Sequence, residues 1–141
     1  MNKHVAAAPV DRPSAASAEG CGAREPVQQA RIGRRYRFEA AHYLPRVPED
    51  HRCRNLHGHN YRVTVVLLGG VDARGFVKDF AEIDSVVEPL LRQLDHRLLN
   101  DVDGLENPTA EIIAAWFLDR IPGCERVCVH ENDDSWAEVV R

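Results

Sequence analysis

The sequence predicts an α+β domain, a four-stranded antiparallel sheet in the order β-β-α-α-β-β with two helices on one face. Three observations carry this expectation. Residues 35–41 alternate, and the run Val63-Thr64-Val65-Val66-Leu67-Leu68 is rich in β-branched side chains, so both read as strands. Two later segments repeat apolar residues at three- and four-residue spacing. Two short apolar runs then flank the turn Asn132-Asp133-Asp134-Ser135 and close the chain as a hairpin.

The chain opens differently from the way it continues. Residues 1–30 are dominated by Ala, Pro, Ser and Gly, with almost no large apolar side chain to offset the entropy of ordering. They are expected to form a disordered tail, with Cys21 an incidental thiol in it, and residues 31–141 to form one folded domain. The apolar stretch from Val5 to Val10 is too short for a secretory core and runs straight into Asp11 and Arg12.

The first strand leads to His42. A loop with Pro45 and Pro48 follows, too long for a tight hairpin, and it delivers Cys53. Next comes Cys53-Arg54-Asn55-Leu56-His57-Gly58-His59-Asn60-Tyr61. On a strand, residues two apart share a face and lie roughly 6–7 Å apart, so His57 and His59 project side by side. If the two strands pair, His42 joins them. Three imidazoles suit a zinc ion that keeps an open fourth position. His51, on the loop, is a further candidate ligand. A cupin-like site would need a Glu where Val63 and Thr64 stand, and the His-x-His-x-Asp-His pattern of binuclear hydrolases is missing.

Asp79 reads as the cap of the first helix, whose apolar face comprises Phe80, Ile83, Val87, Leu90, Leu91, Leu94 and Leu98. Pro89 inside it should kink or divide it. Asn107-Pro108 reads as the cap and first position of the second helix, whose apolar side holds Ile112, Ile113, Trp116, Phe117 and Ile121, and Pro122-Gly123 ends it. Cys124 and Cys128, placed to share a strand face, read as buried thiols.

Bulk properties narrow the class of function. At 141 residues with a formal charge of −4, the chain offers one domain's worth of core and no basic field for nucleic acid or anionic lipid. No stretch approaches the run of about 18 apolar residues that a membrane span needs. Four cysteines in dissimilar settings fit a reducing cytoplasm better than a disulfide framework.

Taken in order, Phe38-Glu39-Ala40-Ala41-His42, the Cys53 to Tyr61 stretch, Asp79-Phe80, Leu94-Asp95-His96-Arg97-Leu98-Leu99-Asn100, Asn107-Pro108-Thr109-Ala110-Glu111 and Glu131 carry a specific resemblance. From about residue 34 to the C-terminus, the chain resembles the 6-pyruvoyltetrahydropterin synthase and 6-carboxytetrahydropterin synthase family, which has the tunnelling fold. The resemblance implies that His42, His57 and His59 hold a catalytic Zn2+ and that Cys53 is the base at the substrate carbon. It further implies that Asp95 with His96 forms a second proton-transfer pair and that Glu131 anchors the pterin, with Thr109 also placed at the substrate.

The three residues between Cys53 and His57 resemble the 6-carboxytetrahydropterin synthases of the queuosine and 7-deazaguanine route. Five would look like the pyruvoyl-forming enzymes, which are the alternative, with a non-catalytic zinc- or pterin-binding module behind them. The implied substrate is 7,8-dihydroneopterin triphosphate, and the implied products include acetaldehyde and triphosphate. Arg46, Arg52, Arg54, Lys78 and Arg97 are available to the phosphates. The resemblance also implies trimers that close their sheets into a barrel and stack into a homohexamer. An open sheet has a physical motive to hide its edges in this way. Active sites would then lie between subunits, with Asp95, His96 and Glu131 reaching a neighbour's zinc.

Overall fold

The computed structural model describes residues 27–141. The tail expected over residues 1–30, and Cys21 in it, lies outside them apart from its end, where Gln29 and Ala30 already belong to a strand. In chain order the elements are β1 (Gln29–His42), β2 (His57–Gly70), α1 (Phe80–Leu94), β3 (Arg97–Leu98), α2 (Ala110–Arg120), β4 (Cys124–His130) and β5 (Trp136–Val140).

β1 and β2 form a long antiparallel pair, in register from Gln29 opposite Gly70 to His42 opposite His57. The β4–β5 hairpin adds to the free side of β2. On the other side β3 runs parallel to β1, pairing Arg97 with Ala40 and Leu98 with Ala41, so the sheet order is β3-β1-β2-β4-β5. The sheet therefore has five strands where four were expected. Leu98, read as the last apolar residue of the first helix, belongs to β3. α1 stops at Leu94, Asp95 caps it in an extended conformation, and His96 turns the chain with a positive φ of 57°. Pro89 lies within α1 without dividing it.

Period-two alternation assigns the faces. Phe38, Tyr61, Val63, Val65, Leu67, Val127 and Val129 are buried against Ile83, Val87 and Leu94 of α1 and Ile113, Ala114, Phe117 and Leu118 of α2. Each fully buried side chain of this size is worth about 1.5–3 kcal/mol. The opposite face carries Arg35, Arg37, Arg62, Thr64 and His130, and neither helix covers it. A bulge between Val66 and Leu67 shifts the β2–β4 register, so Cys124 packs in the core while Cys128, opposite Thr64, takes the uncovered side. The two thiols are thus not on one face.

Asp79 caps α1 as expected, its side chain accepting from the Ala81 N–H. For α2 the cap is Thr109, whose Oγ1 accepts from the Ile112 N–H at 3.3 Å, and not Asn107. Pro108 consequently stands before the helix, which leaves its carbonyl free for the site described next. No helix among the described residues is long and apolar enough to cross a membrane.

Candidate active site

The register of β1 and β2 builds the site. His42 is the last residue of β1, His57 is the first of β2, and the two are direct cross-strand partners. His59 faces Ala40 two pairs further in, so all three imidazoles fall on the helix-covered side. Ring centroids lie 4.5 Å apart for His42 and His57, and 5.1 Å for each of these with His59. One ring nitrogen from each lies within 4.8 Å of the others. Gly58, between the two histidines of β2, faces the other way. A Cβ there would stand 3.0 Å from the Ala40 carbonyl oxygen, so the strands close at this point only because the residue is glycine.

Backbone carbonyls set the tautomers. His42 Nδ1 lies 2.8 Å from the Pro108 oxygen and His57 Nδ1 lies 2.7 Å from the Asn55 oxygen. A carbonyl only accepts, so each Nδ1 carries the proton and each Nε2 bears a lone pair. Those two Nε2 atoms are 3.0 Å apart. Two lone pairs repel at that distance, and a shared proton is disfavoured because burial holds the His42 pKa down to about 4. His59 Nε2 is buried with no partner, and its ring is also held neutral by burial, against the opposing pull of Glu131. The lone pairs on His42 and His57 Nε2 converge beside a His59 Nε2 that has no partner among the described residues, and the cluster could bind a metal ion.

Beside the imidazoles is a cavity of about 310 Å³, lined also by Arg52, Cys53, Glu131 and Ser135. Cys53 reaches it from a single 3-10 turn, Arg52–Arg54, whose cap is His51. His51 Nδ1 accepts from the Cys53 N–H at 3.1 Å, so His51 holds the turn and is not among the metal-ligand cluster. Glu131 arrives at the end of β4, its N–H donating to the Ser135 carbonyl across the hairpin turn. It belongs to the same chain as the three histidines and needs no neighbour to reach them. Tyr61 walls the inner side, stacked on Phe38 at 4.7 Å and edge-on to His42 and His59, with its hydroxyl buried and unpartnered.

Asp95 and His96 lie elsewhere. His96 Nδ1 is 3.0 Å from the Asp95 carboxylate, and its Nε2 is 3.7 Å from Glu39. The Glu39 N–H donates to Asp95 at 2.9 Å, and the His96 N–H donates to the Glu39 carbonyl at 2.6 Å. That backbone donor, with His96 second, holds the Asp95 carboxyl below the usual carboxylate range. The pair is ordered yet exposed, the His96 side chain to 74%. His96 lines a neighbouring cleft with Glu39, Gly58, Asn60 and His59, and His59 also lines the cavity that holds His42, Cys53, His57 and Glu131, so this one imidazole stands between the two. Thr109 Oγ1 accepts the capping bond of α2, which leaves its O–H free to donate.

Sequence reasoning missed the two orienting carbonyls, at Asn55 and Pro108. Any residue supplies a carbonyl, so no side-chain signal could have found them. It also left Arg52 undistinguished among five candidate cations, although Arg52 alone of these lines the cavity.

Residues 31–141 match the family model for 6-pyruvoyl tetrahydropterin synthase. Over 117 residues the chain is 38% identical to a 6-carboxy-5,6,7,8-tetrahydropterin synthase from Synechocystis sp., covering 75% of this chain and 89% of that one. It is 40% identical over 93 residues to a dihydroneopterin monophosphate aldolase from Pyrococcus furiosus, covering 66% and 75% respectively. Its fold superposes on a 6-pyruvoyl tetrahydropterin synthase from Caenorhabditis elegans with a TM-score of 0.73 at 25% identity, covering 80% of this chain and 96% of the other.

Proposed function

Because this chain belongs to the 6-pyruvoyl tetrahydropterin synthase family, we propose that it is a zinc-dependent 6-carboxy-5,6,7,8-tetrahydropterin synthase acting in queuosine and 7-deazaguanine biosynthesis. Its substrates are 7,8-dihydroneopterin triphosphate and one water, which supplies the second carboxylate oxygen, and its products are 6-carboxytetrahydropterin, acetaldehyde and triphosphate. The observation that carries this reading is the convergence of three imidazoles, with ligand atoms within 4.8 Å of one another, on one cavity with Cys53 and Glu131. The Cys53-to-His57 spacing supports the carboxy product over the pyruvoyl one.

His42, His57 and His59 would hold the zinc, which when bound would supply a Lewis acid to the oxygens of the substrate side chain. Glu131 accepts two hydrogen bonds from adjacent N–H donors of the amino-pyrimidinone edge, which fixes the ring in the cavity. Cys53 takes a proton from that side chain, from a turn that His51 keeps in place. The Asp95–His96 pair moves the second proton, its imidazole oriented by the carboxylate. Since neither Asp95 nor His96 lines the cavity, the site is completed by another copy of the chain, consistent with an assembly of six subunits. Electrons are redistributed within the substrate, so no nicotinamide is required.

The likeness to the Pyrococcus aldolase favours one second reading, cleavage of a phosphorylated dihydropterin without loss of its phosphate. Product analysis separates the two. Purified enzyme given dihydroneopterin triphosphate should yield acetaldehyde and free triphosphate, with about one zinc per chain in the same preparation. A phosphorylated aldehyde, or a pyruvoyl product without acetaldehyde, would replace the proposal.

A further inference from the structure

The uncovered sheet face carries a feature that the reaction does not use. Arg37 on β1 lies directly opposite Arg62 on β2, and Arg62 lies directly opposite His130 on β4. Two guanidiniums and an imidazole therefore form one row across three strands. Arg35, two residues from Arg37 on the same face, pairs with Thr64 and adds a third guanidinium and a hydroxyl. Together the five line a cleft of about 430 Å³.

Like charges directly opposite on neighbouring strands destabilise a sheet. A sequence keeps such a row where something negative lies against it. The rest of β1 shows the contrast: Arg31 holds Glu125 at 2.7 Å and Arg34 holds Asp84 at 2.6 Å, whereas Arg35 and Arg37 hold no carboxylate among the described residues. Arg62 is partly neutralised by Asp133, on the rim. Two more carboxylates border the row: Glu39, which faces His96, and Glu138, which faces Arg126. His130 Nδ1 is buried with no partner. The cleft thus offers two forked donors that hold no carboxylate among the described residues, and a hydroxyl, in a chain whose net charge is −4. That chemistry recognises phosphoryl oxygens, which guanidiniums bind bidentately.

We propose that Arg35, Arg37, Arg62, Thr64 and His130 form a binding site for a polyphosphate anion on the uncovered face of the sheet. A second cleft, of about 540 Å³, runs from Arg37 and Arg62 to Glu131. The anion's source is therefore either the phosphate tail of a pterin anchored at Glu131 or free inorganic polyphosphate. The site stands independently of the reaction proposed above, since it uses none of the cavity's metal-binding or proton-transfer groups.

The test is calorimetric titration of the full chain with inorganic tripolyphosphate, at low and high salt. Saturable binding is expected that weakens with salt and falls at least about tenfold in Arg35→Gln/Arg37→Gln, with Arg37→Gln intermediate and the melting temperature kept. No saturable binding, or binding by the double variant within twofold of the parent, overturns the site. Competition then identifies the source. Displacement of dihydroneopterin triphosphate but not of unphosphorylated dihydroneopterin assigns the cleft to the substrate's tail, and displacement of neither assigns it to a free anion. Displacement of both would put the anion in the pterin cavity and overturn the proposal.

Discussion

The two ends of the candidate chemistry sit in neighbouring clefts that share His59. On the helix-covered face, His42 and His57 are cross-strand partners, His42 is 1% exposed, and Cys53 and Glu131 close a cavity over them. At the β3 edge of the sheet, Asp95 and His96 lie in the turn between α1 and β3 beside Glu39, with His96 open to solvent. One half is finished in that backbone carbonyls orient two of its three imidazoles. The other is a hydrogen-bonded Asp95–His96 pair whose imidazole is exposed. A single chain has thus built both halves rigidly but not brought them together, as expected if a second copy does so.

The largest expected effect lies in the finished half. His57→Ala removes one of three imidazoles and relieves the 3.0 Å opposition with His42, so the variant should fold at least as well as the parent. Its metal content should fall below a tenth of the parent's, and activity should fall roughly a thousandfold, the equivalent of several kcal/mol of lost polarisation. Metal analysis beside kcat measurement checks this. A fully active, metal-free His57→Ala would mean that the cluster is ordinary packing.

The comparison itself is broken or kept by mixing. Cys53→Ala and His96→Ala should each lose about a hundredfold to ten-thousandfold as pure proteins. If the halves of a site come from different chains, refolding the two variants together regenerates sites with both groups intact, to about a quarter of parental activity for random assembly. If a single chain makes the whole site, the mixture stays as inactive as its parts.

Glu131→Gln probes recognition within the finished half. Replacing a bidentate charged acceptor by an amide costs roughly 1.5–3 kcal/mol of binding. KM should therefore rise about tenfold to a hundredfold with metal content unchanged. An equal loss confined to kcat would move Glu131 from anchoring to chemistry.

What the sequence disclosed and withheld follows the same division. The histidine cluster was legible because His57 and His59 obey a fixed period of two and His42 ends an alternating strand, so pairing alone brings them together. The helices and terminal hairpin were legible from periodicity. β3 was not: two residues carry no period, and the strand exists because His96 takes a positive φ, which nothing in Leu94-Asp95-His96-Arg97 announces. The α2 cap was misplaced by two residues, since Asn107-Pro108 and Thr109 both satisfy the chemistry of a helix start. The uncovered arginine row was hidden because opposition across strands depends on register, and register depends on the bulge and the long β1–β2 pairing, not on any local motif.

The smallest effect concerns how the two halves are tied. Arg34 holds Asp84 of α1 through two hydrogen bonds, of 2.9 and 2.6 Å, the Tyr36 hydroxyl adds a third at 2.8 Å, and the guanidinium lies over the Phe80 ring at 5.6 Å. This cluster fastens α1 to β1, and α1 ends in the Asp95 cap, whereas the histidines hang on β1 and β2. Arg34 and Tyr36 hold the Asp84 carboxyl below its ordinary value of 3.8. A carboxyl whose pKa is depressed on folding contributes stability that is fully present above the unfolded value and is lost as pH falls through the folded one. Asp84→Asn removes that dependence, so urea midpoints measured between about pH 6 and about pH 3 should start lower than the parent's and decline less steeply towards acid. Metal content should not change, while the rate of the His96-dependent step should drop modestly as α1 loosens. A variant that lost metal with its acid slope would show that the two halves are coupled through the strands after all.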